Sequence, residues 1–239
     1  MRVFQLLLLG MSLMATIAGC QANKAVAPRT WADKTAAPAD EGAMPVTVSK
    51  QQRLQEAMEG LRYESGRGEI DRKVAGEVRD GGADADAMAS FERGEELLAE
   101  NRRVEAIEAF TLAVLIAPEV PALYEGLGRA LKDKGLMEEA KAAFGSALDR
   151  DPDFLDARVQ LAVATEMLGR QEEANRAWRD VLALAPDHVQ AHTRLAIGLY
   201  YLHEFDAAWE HVHRVEGMSH EVPPQFRILL ANRLSDPAE

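Results

Sequence analysis

Residues 121–154 read PALYEGLGRALKDKGLMEEAKAAFGSALDRDPDF, and this stretch decides the fold. Apolar residues recur at spacings of three and four on both sides of Gly135, which predicts two amphipathic helices. Glycine tolerates the left-handed backbone that closes a helix, so we expect Gly135 to lie in a tight turn between them. Pro152 marks where the second helix must end. The stretch therefore predicts an antiparallel pair of helices.

The same pattern occurs four times with a period of 34 residues. One column of the repeat holds only small residues, and another holds residues that tolerate a left-handed backbone. The small residues are Gly94, Gly128, Ala162 and Ala196, and the turn residues are Asn101, Gly135, Gly169 and His203. A small side chain at every repeat marks a close crossing of two helices, because a larger one would push the backbones apart. Each pair leaves an apolar face that the next pair must cover.

We therefore predict an all-α fold, a solenoid of about four helix pairs with a C-terminal capping helix, preceded by a flexible N-terminal segment. The predicted repeats are 87–120, 121–154, 155–188 and 189–222, followed by the cap in 223–239. Two consecutive prolines begin the cap. Its inner face is expected to hold Phe226, Leu229, Leu230 and Leu234.

In its spacing, the stretch 121–154 resembles the tetratricopeptide repeat. The residues that carry the resemblance are Tyr124, Leu127, Gly128, Leu131, Ala140, Phe144, Ala147 and Pro152. The copies on either side keep most of this pattern. The fourth copy, 189–222, has His220 where the proline should be and departs most.

This resemblance implies a concave groove that is lined by the first helix of each pair and binds a protein partner. The groove residues it implies are Phe91, Glu95, Glu125, Arg129, Val159, Val163, Met167, Ile197, Tyr200 and Tyr201. Apolar side chains in a groove suit an amphipathic helix or an extended peptide, with Glu125 and Arg129 setting its orientation. An alternative stays open, in which the cap or the segment 49–63 covers some of these residues, especially Ile197 and Tyr201.

The N-terminus begins with Arg2, continues with an apolar stretch and ends in Ile17-Ala18-Gly19-Cys20. This ending resembles the lipobox of bacterial lipoproteins. The resemblance implies that residues 1–19 are a signal peptide and that Cys20 becomes a lipidated first residue; several acyl chains make a stable anchor. The alternatives are an ordinary cleaved signal or an uncleaved anchor. Gln21 stands where an Asp would favour the inner membrane, so the resemblance implies the periplasmic face of the outer membrane.

The lead, 20–86, is predicted to be a lipidated tether that contains short helices. Residues 21–45 are rich in Ala and Pro and lack apolar periodicity, which is typical of a solvated tether. Leu54, Met58 and Leu61 then recur at helical spacing within 49–63, and a weaker series begins at Ile70. These segments either dock on the repeats or are marginal helices in a disordered linker, and the sequence leaves both interpretations open.

The formal net charge of −12 disfavours nucleic acid as a partner, because phosphate binding needs clustered Lys and Arg. All six histidines lie between 188 and 220. His188 and His192 have the spacing of a metal pair but lack a third ligand at motif spacing, so we predict no metal site. The cluster could instead make the last repeat sensitive to mild acid. No motif of an enzyme is found, and we expect no cofactor beyond the covalent lipid and no small-molecule substrate.

A lipidated N-terminus, a lead of this length and about four repeats together resemble the small lipoproteins of Tad-type pilus systems. That resemblance implies a scaffold on the outer membrane that helps a secretin or another pilus component to assemble. The alternatives are an envelope adaptor that recruits peptidoglycan hydrolases and a component of outer-membrane assembly, since lipidated repeat proteins serve there too.

Overall fold

The computed structural model describes residues 49–58, 61–64, 67–71, 75 and 86–237. The predicted signal peptide, Cys20 and the Ala/Pro-rich tether lie outside the described residues. Within the described part of the chain, no helix combines the length and the hydropathy that crossing a membrane requires.

The described elements are ten helices and one two-stranded hairpin. In chain order they are α1 Lys50–Ala57, β1 Leu61–Glu64, β2 Arg67–Ile70, α2 Ala87–Ala99, α3 Arg103–Ile116, α4 Pro121–Lys134, α5 Met137–Arg150, α6 Leu155–Met167, α7 Gln171–Leu184, α8 Val189–Tyr201, α9 Phe205–Gly217 and α10 Pro224–Ala231. Helices α2 to α9 form four pairs, and each helix packs against the next along the chain. The prediction of a helical solenoid with a C-terminal helix is confirmed.

The four predicted turn residues all have a left-handed backbone. Their φ angles are 61° at Asn101, 91° at Gly135, 73° at Gly169 and 63° at His203. After each of these residues, the next N–H donates to a carbonyl five residues earlier, as Leu136 does to Leu131 at 2.9 Å, which closes the first helix of the pair.

The departure of the fourth repeat at His220 has a structural reason. Ser219 is also left-handed, with φ of 63°, and the His220 N–H donates to the Val215 carbonyl at 3.2 Å. Helix α9 therefore ends with the kind of turn that elsewhere separates the two helices of a pair. A proline at 220 would remove this hydrogen bond, because proline has no N–H.

The small-residue column lies where the two helices of a pair cross. A Cβ atom on Gly94 would come within 2.7 Å of the Phe110 ring, and one on Gly128 within 2.4 Å of the Phe144 ring. The corresponding residues in the second half of the stack are Ala162 and Ala196, both fully buried. The core is also divided between the two halves of the stack. The buried apolar residues form one large cluster mainly in the first half and another in the second.

The segment before the repeats docks on the first half of the stack. Helix α1 packs on α3, and Leu54 and Met58 contact the first core cluster. Arg53 donates to both carboxylate oxygens of Glu108, at 3.2 and 3.1 Å. Leu61 is buried in the same cluster, while strand β2 contacts α5. Of the two interpretations of this segment, the described residues support docking.

The segment that follows α1 contains a hairpin where the sequence predicts helices. Leu61 and Ile70 were expected on helices, but they lie in β1 and β2, where they are paired in an antiparallel register. Tyr63 and Ile70 are residues that favour strands. The helical spacing of Leu54, Met58 and Leu61 continues past the end of α1 only by coincidence.

The C-terminal helix covers the second half of the stack. Phe226 and Leu230 are buried as predicted, but Leu229 is 50% exposed and does not lie on the inner face. The tail beyond α10 returns to α9, where the Trp209 Nε1–H donates to the Leu234 carbonyl at 3.0 Å. Asp236, whose side chain is only 5% exposed, lies 2.8 Å from the His213 Nε2 atom. The tail is therefore part of the cap.

Candidate binding groove

The first helices of consecutive pairs line one side of the stack. Helix α2 approaches α4, and α4 approaches α6, although a second helix separates each of them along the chain. Their side chains also meet directly. Glu95 of α2 forms an ion pair with Arg129 of α4, and the Glu166 carboxylate of α6 accepts from Arg194 of α8 at 3.0 Å. The first helices therefore form one continuous side of the stack, the side on which the resemblance implies the groove.

In the first half of this surface, the predicted groove residues other than Phe91 are charged and are connected by ion pairs. The Arg129 guanidinium lies 3.0 Å from the Glu125 carboxylate in the same helix and also pairs with Glu95. Burial raises the pKa of Glu125; Arg129 lowers it, whereas the charges of Glu95 and Asp156 raise it. Phe91 is half-buried and packs edge-on against Phe110, with ring centroids 5.3 Å apart. Phe91 thus belongs largely to the core.

In the second half, the predicted groove residues are apolar. Val163 and Ile197 are half-buried at the margin of the second core cluster. Met167 is 57% exposed and Tyr201 is 66% exposed, at the C-terminal ends of α6 and α8. These two residues occupy the same position in consecutive repeats, so they form one exposed apolar edge. We call Val163, Met167, Ile197 and Tyr201 the apolar half of the groove.

Two predicted groove residues need correction. Val159 is buried, at 9% exposure, because it packs into the second core cluster, so it presents little surface to a partner. Tyr200 packs against Phe205 and against Phe226 of the capping helix, with ring centroids 5.7 and 5.9 Å apart. The cap therefore covers part of Tyr200, and Tyr201 stays exposed. The segment 49–58 lies on α3, a second helix, and so leaves the groove open.

Sequence reasoning missed a set of polar contacts that link adjacent first helices. Lys132 donates to the Gln160 side chain at 2.6 Å, and Arg194 donates to Glu166. The partners are 28 residues apart rather than 34, because side chains near the end of one helix reach the start or middle of the next first helix. A search at the repeat period alone does not find them.

The histidines do not pair as their spacing suggested. The ring of His188 caps α8 by accepting from the Ala191 N–H at 3.1 Å, whereas His192 lies 2.9 Å from His211 of α9, Nδ1 to Nδ1. The other ring nitrogen of His192 bonds to the Pro186 carbonyl at 2.8 Å. Burial, followed by the charge of His192, lowers the pKa of His211 to about 4. In the described part of the chain, no three His, Cys, Asp or Glu residues are grouped to hold a metal.

Comparison with known proteins supports the repeat assignment. Residues 97–165 match the family model of the tetratricopeptide repeat. The fold is similar to that of a tetratricopeptide repeat protein from Parabacteroides merdae, at 20% identity and a TM-score of 0.56 over 62% of this chain and 59% of that one. It is also similar to residues 41 to the end of MamA from Desulfovibrio magneticus RS-1, at 16% identity and a TM-score of 0.55 over 62% and 82% of the two chains.

A further MamA structure, MSR-1 C2, matches at 19% identity with a TM-score of 0.51, over 71% of this chain and 94% of that one. At these identities the likeness is one of fold. No curated protein matches the sequence significantly.

Proposed function

We propose that this chain is a protein-binding scaffold whose binding surface is the concave side of the repeats. The observation that carries this proposal is the exposed apolar edge formed by Met167 and Tyr201 beside Val163 and Ile197. Apolar side chains gathered in a groove suit an amphipathic helix or an extended peptide. Helical solenoids characteristically use such concave surfaces for binding, so the fold agrees with a non-catalytic role.

We propose further that Cys20 carries the lipid that anchors the scaffold at the periplasmic face of the outer membrane. The lipobox-like ending and the single cysteine at its required position support this. The partner we propose is a secretin or another component of a Tad-type pilus, because the layout of anchor, lead and repeats resembles the lipoproteins of those systems. Recruitment of peptidoglycan hydrolases would be the alternative outcome of the experiments below.

The anchor is tested by substituting Cys20→Ala and, separately, Gln21→Asp in cells that assemble the pilus. Cys20→Ala is expected to abolish lipidation and to lower the secretin multimers in the outer membrane. Gln21→Asp is expected to keep the lipid but to move the protein to the inner membrane, and so to lower the multimers as well. Normal multimers and piliation in both strains would contradict the secretin assignment.

The groove is tested by the double substitution Met167→Ser and Tyr201→Ser, which removes exposed apolar surface and leaves the core intact. Its matched control is Ile228→Ser on α10, since Ile228 is 62% exposed but belongs to the cap rather than to a first helix. Partners are captured by cross-linking in intact cells and identified by mass spectrometry. We expect the double variant, but not the control, to lose a secretin; loss of a cell-wall amidase instead would favour the hydrolase adaptor. Unchanged capture would place the interface elsewhere.

A further inference from the structure

Equivalent positions in the two halves of the groove carry different chemistry. Glu95 and Arg129 in the first half correspond to Val163 and Ile197 in the second, each one repeat period from the next. The first pair forms an ion pair, whereas the second pair is apolar and half-buried. A ligand that crosses the four first helices therefore meets a charged cluster at one end and, at the other, an apolar surface beside the ion pair of Glu166 and Arg194.

The charged half contains more carboxylates than cations. One guanidinium, that of Arg129, contacts both Glu95 and Glu125, and Asp156 on the next first helix lies close enough for its charge to act on Glu125. The nearest lysine of α4, Lys132, donates its hydrogen bond to the neutral side chain of Gln160, so three carboxylates face two cations. Glu95 and Arg129 are both about one-third exposed, at 38% and 31% of the side chain, so a ligand can reach this cluster. We call Glu95, Glu125 and Asp156 the acidic half of the groove.

We infer that the groove binds a peptide segment that places a lysine or arginine against the acidic half and a bulky apolar side chain against the apolar half. This inference rests on the proposed function and adds the chemistry of the partner. A cation from the ligand would compensate the surplus carboxylates, and an aliphatic or aromatic side chain would cover Met167 and Tyr201. An acidic segment would be repelled, both locally and by the net charge of −12.

The geometry also sets the spacing of these two ligand residues. Packed helices lie about 8–10 Å apart, so the path from α4 to α8 across α6 is roughly 20 Å. An extended peptide advances about 3.3 Å per residue and therefore spans this path in about six residues. A helical segment would need about 13 residues for the same distance.

The test uses three fluorescent peptides of the same length and the full chain, with binding measured by fluorescence anisotropy. The first peptide carries one lysine and, about six residues later, a Leu-Phe pair; the second has glutamate in place of the lysine; the third has Ser-Ser in place of Leu-Phe. Both peptide orientations are made. At low salt we expect the first peptide to bind about tenfold more tightly than either of the others. The advantage of lysine should shrink at high salt, while that of Leu-Phe should not.

Protein variants assign each contribution to its half of the groove. Glu125→Gln and Glu95→Gln, made separately, should each reduce the preference for lysine over glutamate without changing the preference for Leu-Phe. The double variant Met167→Ser and Tyr201→Ser should reduce the preference for Leu-Phe without changing the preference for lysine. Ile228→Ser should change neither of these preferences. Because Glu125 is mostly buried, at 13% side-chain exposure, the more exposed Glu95 keeps the test valid if Glu125→Gln fails to fold.

Equal binding of the lysine and glutamate peptides would overturn the inference, and so would a lysine preference that survives both glutamine variants. If none of the peptides binds, the inference is also overturned. The proposed function is judged separately by the cross-linking experiment, because capture lost on substituting Met167 and Tyr201 would support a groove scaffold whatever charge its partner carries.

Discussion

The two halves of this solenoid have the same arrangement of helices, but different residues pack where the two helices of a pair cross. In the first half, Gly94 and Gly128 lie against the rings of Phe110 and Phe144 with no room for a Cβ atom. In the second half, Ala162 occupies the position of Gly128, and Trp178 occupies the position of Phe144. Ala162 and Trp178 are both fully buried. The repeat thus sets where two helices cross, and the pair of residues at the crossing sets how closely they approach.

The two ends of the stack are also closed in different ways. The first half is covered by the segment that precedes it, which is held by Leu54, Met58 and the partly exposed ion pair of Arg53 with Glu108. The second half is covered by the segment that follows it, through Phe226 and a tail in which the side chain of Asp236 is almost fully buried. A terminal pair has an apolar face without a neighbour, so each end needs a cover, but the repeat itself does not dictate its form.

The largest effect is expected from a substitution where the helices α4 and α5 cross, in the first half. Gly128→Val would place a Cβ atom 2.4 Å from the Phe144 ring, which has no free space to move into because it is fully buried. We expect a loss of about 3 kcal/mol in the free energy of unfolding, measured by urea denaturation, because overpacked cores must shift side chains and backbone. Hydrogen exchange should show the loss mainly in α4 and α5.

The matched control for this prediction is Gly217→Val at the end of α9. A Cβ atom there would meet nothing within 4 Å, so the change should alter stability by no more than about 0.5 kcal/mol. Similar losses from the two substitutions would mean that glycine at 128 is not required by the crossing with Phe144.

A smaller effect should appear in the second half on mild acidification. Burial, followed by the charges of His192, Arg179 and Arg214, lowers the pKa of His211 from 6.5 to about 4; its ring faces that of His192. Between these values the unfolded chain binds more protons than the folded one, so stability falls as the pH decreases from about 6.5 to 4. Because His211 is partly exposed, we expect His211 to contribute only about 1 kcal/mol to this fall.

The measurement is urea denaturation across this pH range, with His211→Gln as the comparison. The variant should show a flatter dependence on pH, and hydrogen exchange in the parent chain should report opening of α8 and α9 before α2 and α3. An unchanged pH dependence in the variant would contradict the assignment to His211.

The smallest effect concerns the cover of the first half. Arg53→Ala removes two hydrogen bonds to Glu108, but both side chains are partly exposed, at 40% and 35%. We expect a loss of about 0.5 kcal/mol in unfolding free energy, as for other exposed ion pairs. Arg93→Ala is the control, because its pair with Glu96 lies within one helix and joins no two elements. Only Arg53→Ala should increase hydrogen exchange in α1, and equal exchange in both variants would show that this ion pair does not hold the cover in place.

Features with a local cause could be predicted from the sequence. The turn column was correct at Asn101, Gly135, Gly169 and His203, since a left-handed residue closes a helix whatever lies around it. The hairpin was not predicted, because the helical spacing of Leu54, Met58 and Leu61 concealed strand β1, which pairs with β2, while β2 packs on α5. A short apolar segment fits both the helical and the strand period, and contacts with residues distant in the chain decide which of the two structures forms.

The groove also combines features that could be predicted from the sequence with features that could not. Its place on the first helices followed from the repeat, but the exposure of its residues did not. Val159 is buried and Tyr201 is exposed because of how α6, α8 and the capping helix pack together. Likewise, His188 and His192 have the spacing of a metal pair, but the partner of His192 is His211 on the neighbouring helix. Spacing along one helix places residues on a common face, but it does not say which other element meets that face.

The sequence by itself determined the repeated helix pair, its turns and the close crossings, because helix periodicity and left-handed turn residues act within a few positions of the chain. Only the tertiary structure decided which side chains on the first helices stay open to a partner and where the leading segment docks. Those outcomes depend on contacts between residues far apart in the chain, where each side chain settles according to the volume and charge that its neighbours leave.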